Sequence, residues 1–167
     1  AFLKGITGLG FSTICLGLLA SIIDLRLAIP LVLLPSLSSN AMVMWQAGQF
    51  RPTLLRFRML YLAAIPGLVI GLWVLGSAAP TNLAAWLGIV LAAYAVFALI
   101  NPAFALSKTW ARRLAAPAGF LTGIVNGATG SQVMPALPYL MSLNLPREVL
   151  VQAINISFTL GSLVMAV

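Results

Sequence analysis

The 167-residue sequence contains no histidine, one cysteine and only two carboxylates, Asp24 and Glu148. Histidine is the commonest metal ligand and the side chain that titrates nearest neutral pH, so its absence removes most acid–base and metal chemistry. The lone Cys15 allows neither an intrachain disulfide nor a thiolate metal site. We therefore expect that the protein is not an enzyme and binds no metal and no cofactor.

Charge is also scarce. Only 7% of the residues are charged and 62% are hydrophobic, whereas a soluble domain carries about a quarter charged residues. Several segments without any charge are long enough for a membrane-spanning helix, which needs about 20 apolar residues. The predicted fold class is all-α: a polytopic transmembrane helical bundle with an internal repeat, embedded in a lipid bilayer.

The basic residues outnumber the acidic ones and give a net charge of +7. Most of them form two clusters, Arg51, Arg56 and Arg58, then Lys108, Arg112 and Arg113. In a membrane protein such clusters report topology, so no nucleic-acid partner is expected. Two predicted spans separate loops 48–58 and 101–113, which places both on one side. The positive-inside rule makes that side the cytoplasm.

Charge-free windows and turn residues divide the chain into six membrane segments. Plain spans are predicted at about 27–47, 59–77, 83–100 and 149–167. Two further segments are predicted to be broken: 2–23, which has glycines near its start, and 114–143, which has both glycines and prolines. Because the chain begins at Ala1 and ends inside an apolar segment, we expect a fragment or a truncated product of a longer protein.

The stretch Gly119–Pro138 combines helix-breaking residues with small polar side chains, inside an uncharged run. In hydrocarbon, irregular backbone survives only against protein or a water-filled cavity. One interpretation is a broken helix that lines a solute site near the middle of the membrane. The other is a glycine-rich helix that packs closely against a neighbour. The length of segment 114–143 requires that it be interrupted, strongly tilted or re-entrant.

An internal repeat supports the first interpretation. The sequence FLKGI at 2–6 recurs as FLTGI at 120–124, and the turn at Leu25-Arg26 parallels Pro146-Arg147. We predict a first repeat at 1–113 and an incomplete second repeat at 114–167. Secondary transporters place their sites between such repeats. The repeats are parallel if the broken segments cross the membrane and inverted if they dip in and return, and the sequence leaves both open.

An anion suits such a site, because opened helix N-termini present unpaired N–H groups and a partial positive charge. The residues predicted to contact the solute are Gly8, Gly10, Asn40, Asn126, Gly127, Thr129, Gly130, Ser131, Gln132 and Asn155. Arg26 and Arg147 follow the two broken segments and are predicted to attract the anion at a vestibule. The alternatives are interhelical hydrogen bonds for the amides and headgroup contacts for the arginines. Cation binding by unwound carbonyls is a second choice, since no acid lies within the membrane segments.

Four motifs resemble the TauE/SafE sulfite exporter family of the 4-toluenesulfonate uptake permease group: GITGLGFS at 5–12, PLVLLPSLSSN at 30–40, GFLTGIVNGATG at 119–130 and PALPYLMSLNLPRE at 135–148. The resemblance implies a bacterial inner-membrane permease for sulfite, sulfonates or related organosulfur anions, with more spans than this chain provides. Site formers that match the motifs are Gly5, Gly8, Gly10, Asn40, Gly123, Gly127, Gly130, Pro135 and Asn155. Many relatives continue with glycine where this chain has Ser131-Gln132-Val133.

Two alternatives from other functional classes stay open. One is a permease for a solute without sulfur. The other is a structural membrane subunit that binds a partner protein through its small-residue faces. The sequence also leaves the oligomeric state open, a homo-oligomer included.

Overall fold

The computed structural model describes residues 11–100 and 105–165, apart from the side chains at 11–14, 80, 98 and 108. Within those ranges the chain forms helices and no strand. The helices are α1 (Phe11–Ala20), α2 (Leu25–Ala47), α3 (Phe50–Arg56), α4 (Arg58–Ser77), α5 (Pro80–Ile100), α6 (Lys108–Thr129), α7 (Ala136–Met141) and α8 (Arg147–Met165). Three of them, α2, α4 and α8, are long and apolar enough to cross a membrane. The predicted all-α membrane bundle is confirmed.

The plain spans correspond to α2, α4, α5 and α8, with ends shifted by a few residues from the predicted ones. Pro30 and Pro35 lie within α2, and Pro66 lies within α4, without ending either helix. The start of α2 is capped by Asp24, whose side chain accepts a 2.9 Å hydrogen bond from the backbone N–H of Arg26. Residues 2–10 of the first predicted broken segment, 2–23, lie outside the described residues, and the described part, 11–23, consists of α1 and the turn that follows it.

Both basic loops contain more helix than predicted. The short helix α3 occupies most of loop 48–58. The other loop is shorter than predicted, because α6 already begins at Lys108 and carries Arg112 and Arg113 in its early turns. Charged side chains at a membrane boundary can extend from a helix into the headgroup region, so basic residues do not mark the helix end.

The backbones of α4 and α6 are in direct contact, and glycines on α6 allow this close approach. A Cβ atom on Gly119 or Gly123 would overlap the backbone carbonyls of Leu60 and Ala64 on α4. Along the same row, a Cβ on Gly127 would overlap the carbonyl of Leu68. Residue numbers rise together on both helices, so α4 and α6 are parallel. Their N-terminal ends, with the two basic clusters, therefore share one end of the bundle, which we call the basic end.

Segment 114–143 is interrupted and turns back toward the end of the bundle at which it starts, and we call it the re-entrant segment. The chain is helical through Thr129, turns at Gly130, and returns through α7. On its return the hydroxyl of Tyr139 donates a 2.7 Å hydrogen bond to the carbonyl of Ala111. The backbone N–H of Leu106 then donates a 2.9 Å bond to the carbonyl of Ser142. Both ends of the segment thus lie at the basic end.

Helices α2 and α8 pack against each other in antiparallel fashion. Thr159 on α8 donates to the sulfur of Met44 on α2 at 3.9 Å. Further along α8, Met165 shares a cavity with Leu33, which lies earlier on α2. From the first contact to the second, the residue number rises on α8 and falls on α2, so the two helices run in opposite directions.

Candidate functional site

The re-entrant segment breaks at Gly130–Pro135. Gly130 ends α6 in a left-handed conformation, with φ of 71°, and its N–H donates a 2.7 Å bond to the carbonyl of Asn126. Glycine suits this position because other residues rarely adopt positive φ. A Cβ there would also lie 2.9 Å from atoms of Leu16 and Ile29. The glycine ends the helix deep in the bundle, since Gly127, three residues earlier, lies level with Leu68 in the second half of α4.

Two amide side chains of the break face α8. The Nε2 of Gln132 donates a 2.9 Å hydrogen bond to Oγ of Ser162. A Cβ placed on Gly161 would lie 3.4 Å from Cγ of Asn126 and 3.6 Å from Nε2 of Gln132. The fold thus brings together Asn126, Gly130 and Gln132, which the sequence predicted, with Gly161 and Ser162, which it did not.

The polar oxygens of the break are buried and hold unused hydrogen-bonding capacity. Ser131 is 1% exposed, Asn126 3% and Gln132 7%. Among the described residues, Oγ of Ser131, Oδ1 of Asn126 and Oε1 of Gln132 have no hydrogen-bond partner. An unsatisfied buried polar group costs about 1–3 kcal/mol. We call Asn126, Ser131, Gln132 and Ser162 the break cluster.

A small cavity of about 20 Å³ lies beside the break cluster. Its wall is formed by Leu16, Ile29, Val32, Leu33, Ser36, Gly130, Gln132, Ser162 and Met165. This space holds about one water molecule. An anion of several heavy atoms therefore enters only if α1 and α2 move away from α8 and the break.

A polar seam runs along the interface of α2 with α8. Gln152, Asn155, Thr159 and Ser162 repeat on α8 at spacings of three and four residues, which places them on one helix face. Ser36 and Asn40 are four residues apart on α2 and both are buried. Asn155 donates a 2.8 Å bond to the carbonyl of Val151, and its Oδ1 has no partner among the described residues. The seam links the basic end, where α8 begins, to the cavity.

Other predicted site residues lie in different surroundings. Gly127 faces the backbone of α4, which is the close-packing role that the sequence offered as an alternative. The hydroxyl of Thr129 donates a 2.7 Å bond to the carbonyl of Val125 and accepts a 3.2 Å bond from the N–H of Ser131. Gly8 and Gly10 lie outside the described residues. Solute contacts by these residues stay predictions.

The two predicted vestibule arginines lie at opposite ends of the bundle. The guanidinium of Arg26 donates hydrogen bonds of 2.8 to 3.2 Å to the carbonyls of Leu75, Gly76 and Ala78, at the C-terminal end of α4. Arg147 is exposed and begins α8 at the basic end. The geometry gives Arg26 a helix-capping role, and the vestibule role of both arginines stays a prediction.

Comparison with known proteins adds one finding to this geometry. A family model described as sulfite exporter TauE/SafE matches residues 1–167, the whole chain. No curated protein and no solved structure matches the chain. Proteins of this family are membrane transporters rather than enzymes. On its sequence match, and with its apolar helices, this chain belongs to the TauE/SafE sulfite exporter family of multi-pass membrane transporters.

Proposed function

We propose that the protein is a permease for small anions of the sulfite, sulfonate or related organosulfur class, which bind at the break cluster. One observation carries the proposal: α6 enters the bundle, ends at Gly130 and leaves buried polar groups without partners at that depth. Irregular backbone within a membrane protein is tolerated where it lines a cavity, and transporters place their solute sites there. The family match over the full chain supports the same function.

The groups that suit an anion are the N–H donors of the break. Among the described residues, the backbone N–H groups of Gln132, Val133 and Met134 form no hydrogen bond. A side-chain amide carries two N–H donors, of which Gln132 uses one on Ser162 and keeps the second. The helix end at the break is a C-terminus, not the N-terminus that the sequence suggested, and α7 is only six residues long. Local N–H groups, rather than a helix dipole, would therefore hold the anion.

We also infer that the two halves of the chain are inverted repeats. The spans predicted to be equivalent, α2 and α8, are antiparallel. Their N-terminal ends lie at opposite ends of the bundle. Arg26, at the start of α2, contacts the C-terminal end of α4. Near the start of α8, the carbonyl of Ala153 accepts a 3.2 Å hydrogen bond from the hydroxyl of Tyr61, which lies near the N-terminal end of α4. Inverted halves favour alternating access around a shared site.

In this proposal the polar seam is the path from one side of the membrane to the break cluster. The basic end faces the cytoplasm of a bacterial inner membrane, following the positive-inside rule. Opening between α2 and α8 at either end would then expose the cavity to one side at a time.

Transport into lipid vesicles tests the proposal. Purified protein is reconstituted and offered sulfite, a small alkyl sulfonate, sulfate and a carboxylate of similar size. Saturable uptake of sulfite or the sulfonate, without uptake of the carboxylate, is expected. Uptake of the carboxylate alone would show a permease for a solute without sulfur. If no anion moves and the protein purifies with a stoichiometric partner, it is a structural subunit instead.

A further inference from the structure

We propose that the break cluster also binds a hard monovalent cation of the alkali series, beside the anion, and that the two are transported together. The cation site rests on the geometry of the break. Co-transport with an anion rests, in addition, on the proposed permease function.

The atoms left over at the break are mainly oxygens. Oδ1 of Asn126, Oγ of Ser131 and Oε1 of Gln132 are all more than nine-tenths buried and lack partners among the described residues. The amide nitrogens of the two amides are turned toward α8, since Nε2 of Gln132 bonds Ser162 and Nδ2 of Asn126 lies against Gly161. Three neutral oxygens from the seven-residue stretch 126–132 thus have lone pairs available to coordinate a cation.

The end of α6 adds backbone oxygens to this set. The last four carbonyls of a helix have no intrahelical partner. Among the described residues, Gly130 N–H satisfies the carbonyl of Asn126, and no backbone hydrogen bond reaches the carbonyls of Gly127, Ala128 or Thr129. A helix C-terminus also carries partial negative charge. Unwound carbonyls at such half-helix ends are the groups that hold coupling cations in transporters.

Charge balance gives a second reason. Every arginine whose side chain is described is exposed, so none of them neutralises an anion at the break cluster. An ion in a low-dielectric interior without a counter-charge is strongly disfavoured. A cation held by the oxygens next to the anion would supply that counter-charge. The side chains of Lys4 and Lys108 are not among those that the structure describes.

The available ligands select the kind of cation. Calcium and magnesium sites in proteins rely on carboxylates, and neither Asp24, the N-cap of α2, nor Glu148, in the first turn of α8, belongs to the break cluster. Among the described residues no group of three or more histidine, cysteine or acidic side chains is positioned to hold a metal ion. Of the three residues with unpartnered oxygens, Gln132 lines the cavity of about 20 Å³, and neutral oxygens with so small a space suit a small ion of single charge.

Thermal unfolding of the purified protein tests the cation site without any solute. Choline chloride is replaced stepwise by sodium, potassium or lithium chloride at constant ionic strength. One of the alkali cations is expected to raise the unfolding midpoint in a saturable manner. Identical midpoints in choline and in all three alkali salts would overturn the proposal.

Variants locate the site. Ser131→Ala removes an unpartnered oxygen with almost no change of volume, so the fold is kept. It is expected to raise the half-saturating cation concentration by about tenfold, the effect of losing one oxygen contact to a charge. Asn126→Ala is expected to do the same, while Asn82→Ala, an exposed asparagine at the start of α5, leaves it unchanged. A wild-type cation response in Ser131→Ala would contradict the assignment.

Adding sulfite in sodium and in choline media separates this inference from the permease function. Co-transport predicts that sodium tightens sulfite binding and that sulfite tightens sodium binding by the same factor. Sulfite binding of equal strength in both media would overturn co-transport and leave the permease proposal standing. A cation response with no response to sulfite or sulfonates would leave the cation site standing and contradict the proposed permease.

Discussion

Gln132 and Ser162 are 30 residues apart and joined by a 2.9 Å hydrogen bond, buried between the break and α8. Gln132 belongs to the re-entrant segment, and Ser162 belongs to the span that follows it. Ser162 also lines the cavity together with Ser36 from α2. One contact therefore connects the interrupted helix, the polar seam and the cavity, and any separation of α8 from the break must disrupt it.

Ser162 is expected to support solute binding through Gln132. Ser162→Ala removes the acceptor of Nε2 and leaves the Gln132 side chain free to turn away. The solute concentration for half-maximal uptake should rise about fivefold to tenfold, since a neutral hydrogen bond contributes about 1 kcal/mol. Ser38→Ala is the matched control, because Ser38 is exposed and bonds only within its own helix. Equal uptake by both variants would show that Ser162 does not support solute binding.

The glycines of α6 are expected to act on stability through close packing. Gly123→Ala places a methyl group against the carbonyl of Ala64 and should destabilise the protein by about 1–3 kcal/mol, as overpacking does. Gly88→Ala is the matched control, because a Cβ there has open space within 4 Å. Unfolding midpoints in detergent measure both effects. A Gly123→Ala protein as stable as Gly88→Ala would contradict the α4–α6 packing.

Arg26 is expected to stabilise the end of α4. Arg26→Ala frees three carbonyls at an exposed helix end and should cost about 1 kcal/mol of unfolding free energy. Arg51→Ala, at an exposed position of α3, should change stability by less than about 0.5 kcal/mol. If Arg26→Ala instead keeps wild-type stability and weakens solute uptake at low salt, Arg26 acts as the vestibule residue first predicted.

The orientation of the bundle is open to labelling with membrane-impermeant maleimide. In a Cys15→Ser background, Gln49→Cys and Asn144→Cys lie at the basic end and should react from the cytoplasmic side. Ser21→Cys and Ala79→Cys lie near the opposite end and should react from outside. Labelling of all four positions from one side would exclude both the proposed orientation and the inverted repeats.

The positions of α2, α4, α5 and α8 follow the sequence prediction to within a few residues, because each is a charge-free window between charged or turn residues. The sequence also predicted that segment 114–143 is interrupted, strongly tilted or re-entrant, from its excess length together with its glycines and prolines. Helix α3 was missed because its seven residues include three charges or prolines, Arg51, Pro52 and Arg56, and no periodic apolar pattern.

The roles of individual glycines were harder to predict. Gly119, Gly123 and Gly127 repeat every four residues, a spacing typical of close helix contacts in membranes, and they pack on α4. Gly130 differs from them in its left-handed backbone and in facing Leu16 and Ile29 rather than α4, and the sequence displays neither feature. Gly161 and Ser162 belong to the site because α8 packs across the break. A contact between helices that are distant in the sequence leaves no pattern in the local sequence, so these two residues could not be predicted.

Uptake of radiolabelled sulfite or sulfonate by vesicles that contain Gln132→Ala tests most directly whether the solute binds at the break in α6. This variant is expected to insert and unfold like wild type within about 1–2 kcal/mol, yet to lose at least tenfold in uptake at low solute concentration. Gln46→Ala, at an exposed glutamine near the end of α2, should transport like wild type. Wild-type uptake by Gln132→Ala would contradict the claim that the solute binds at the break in α6.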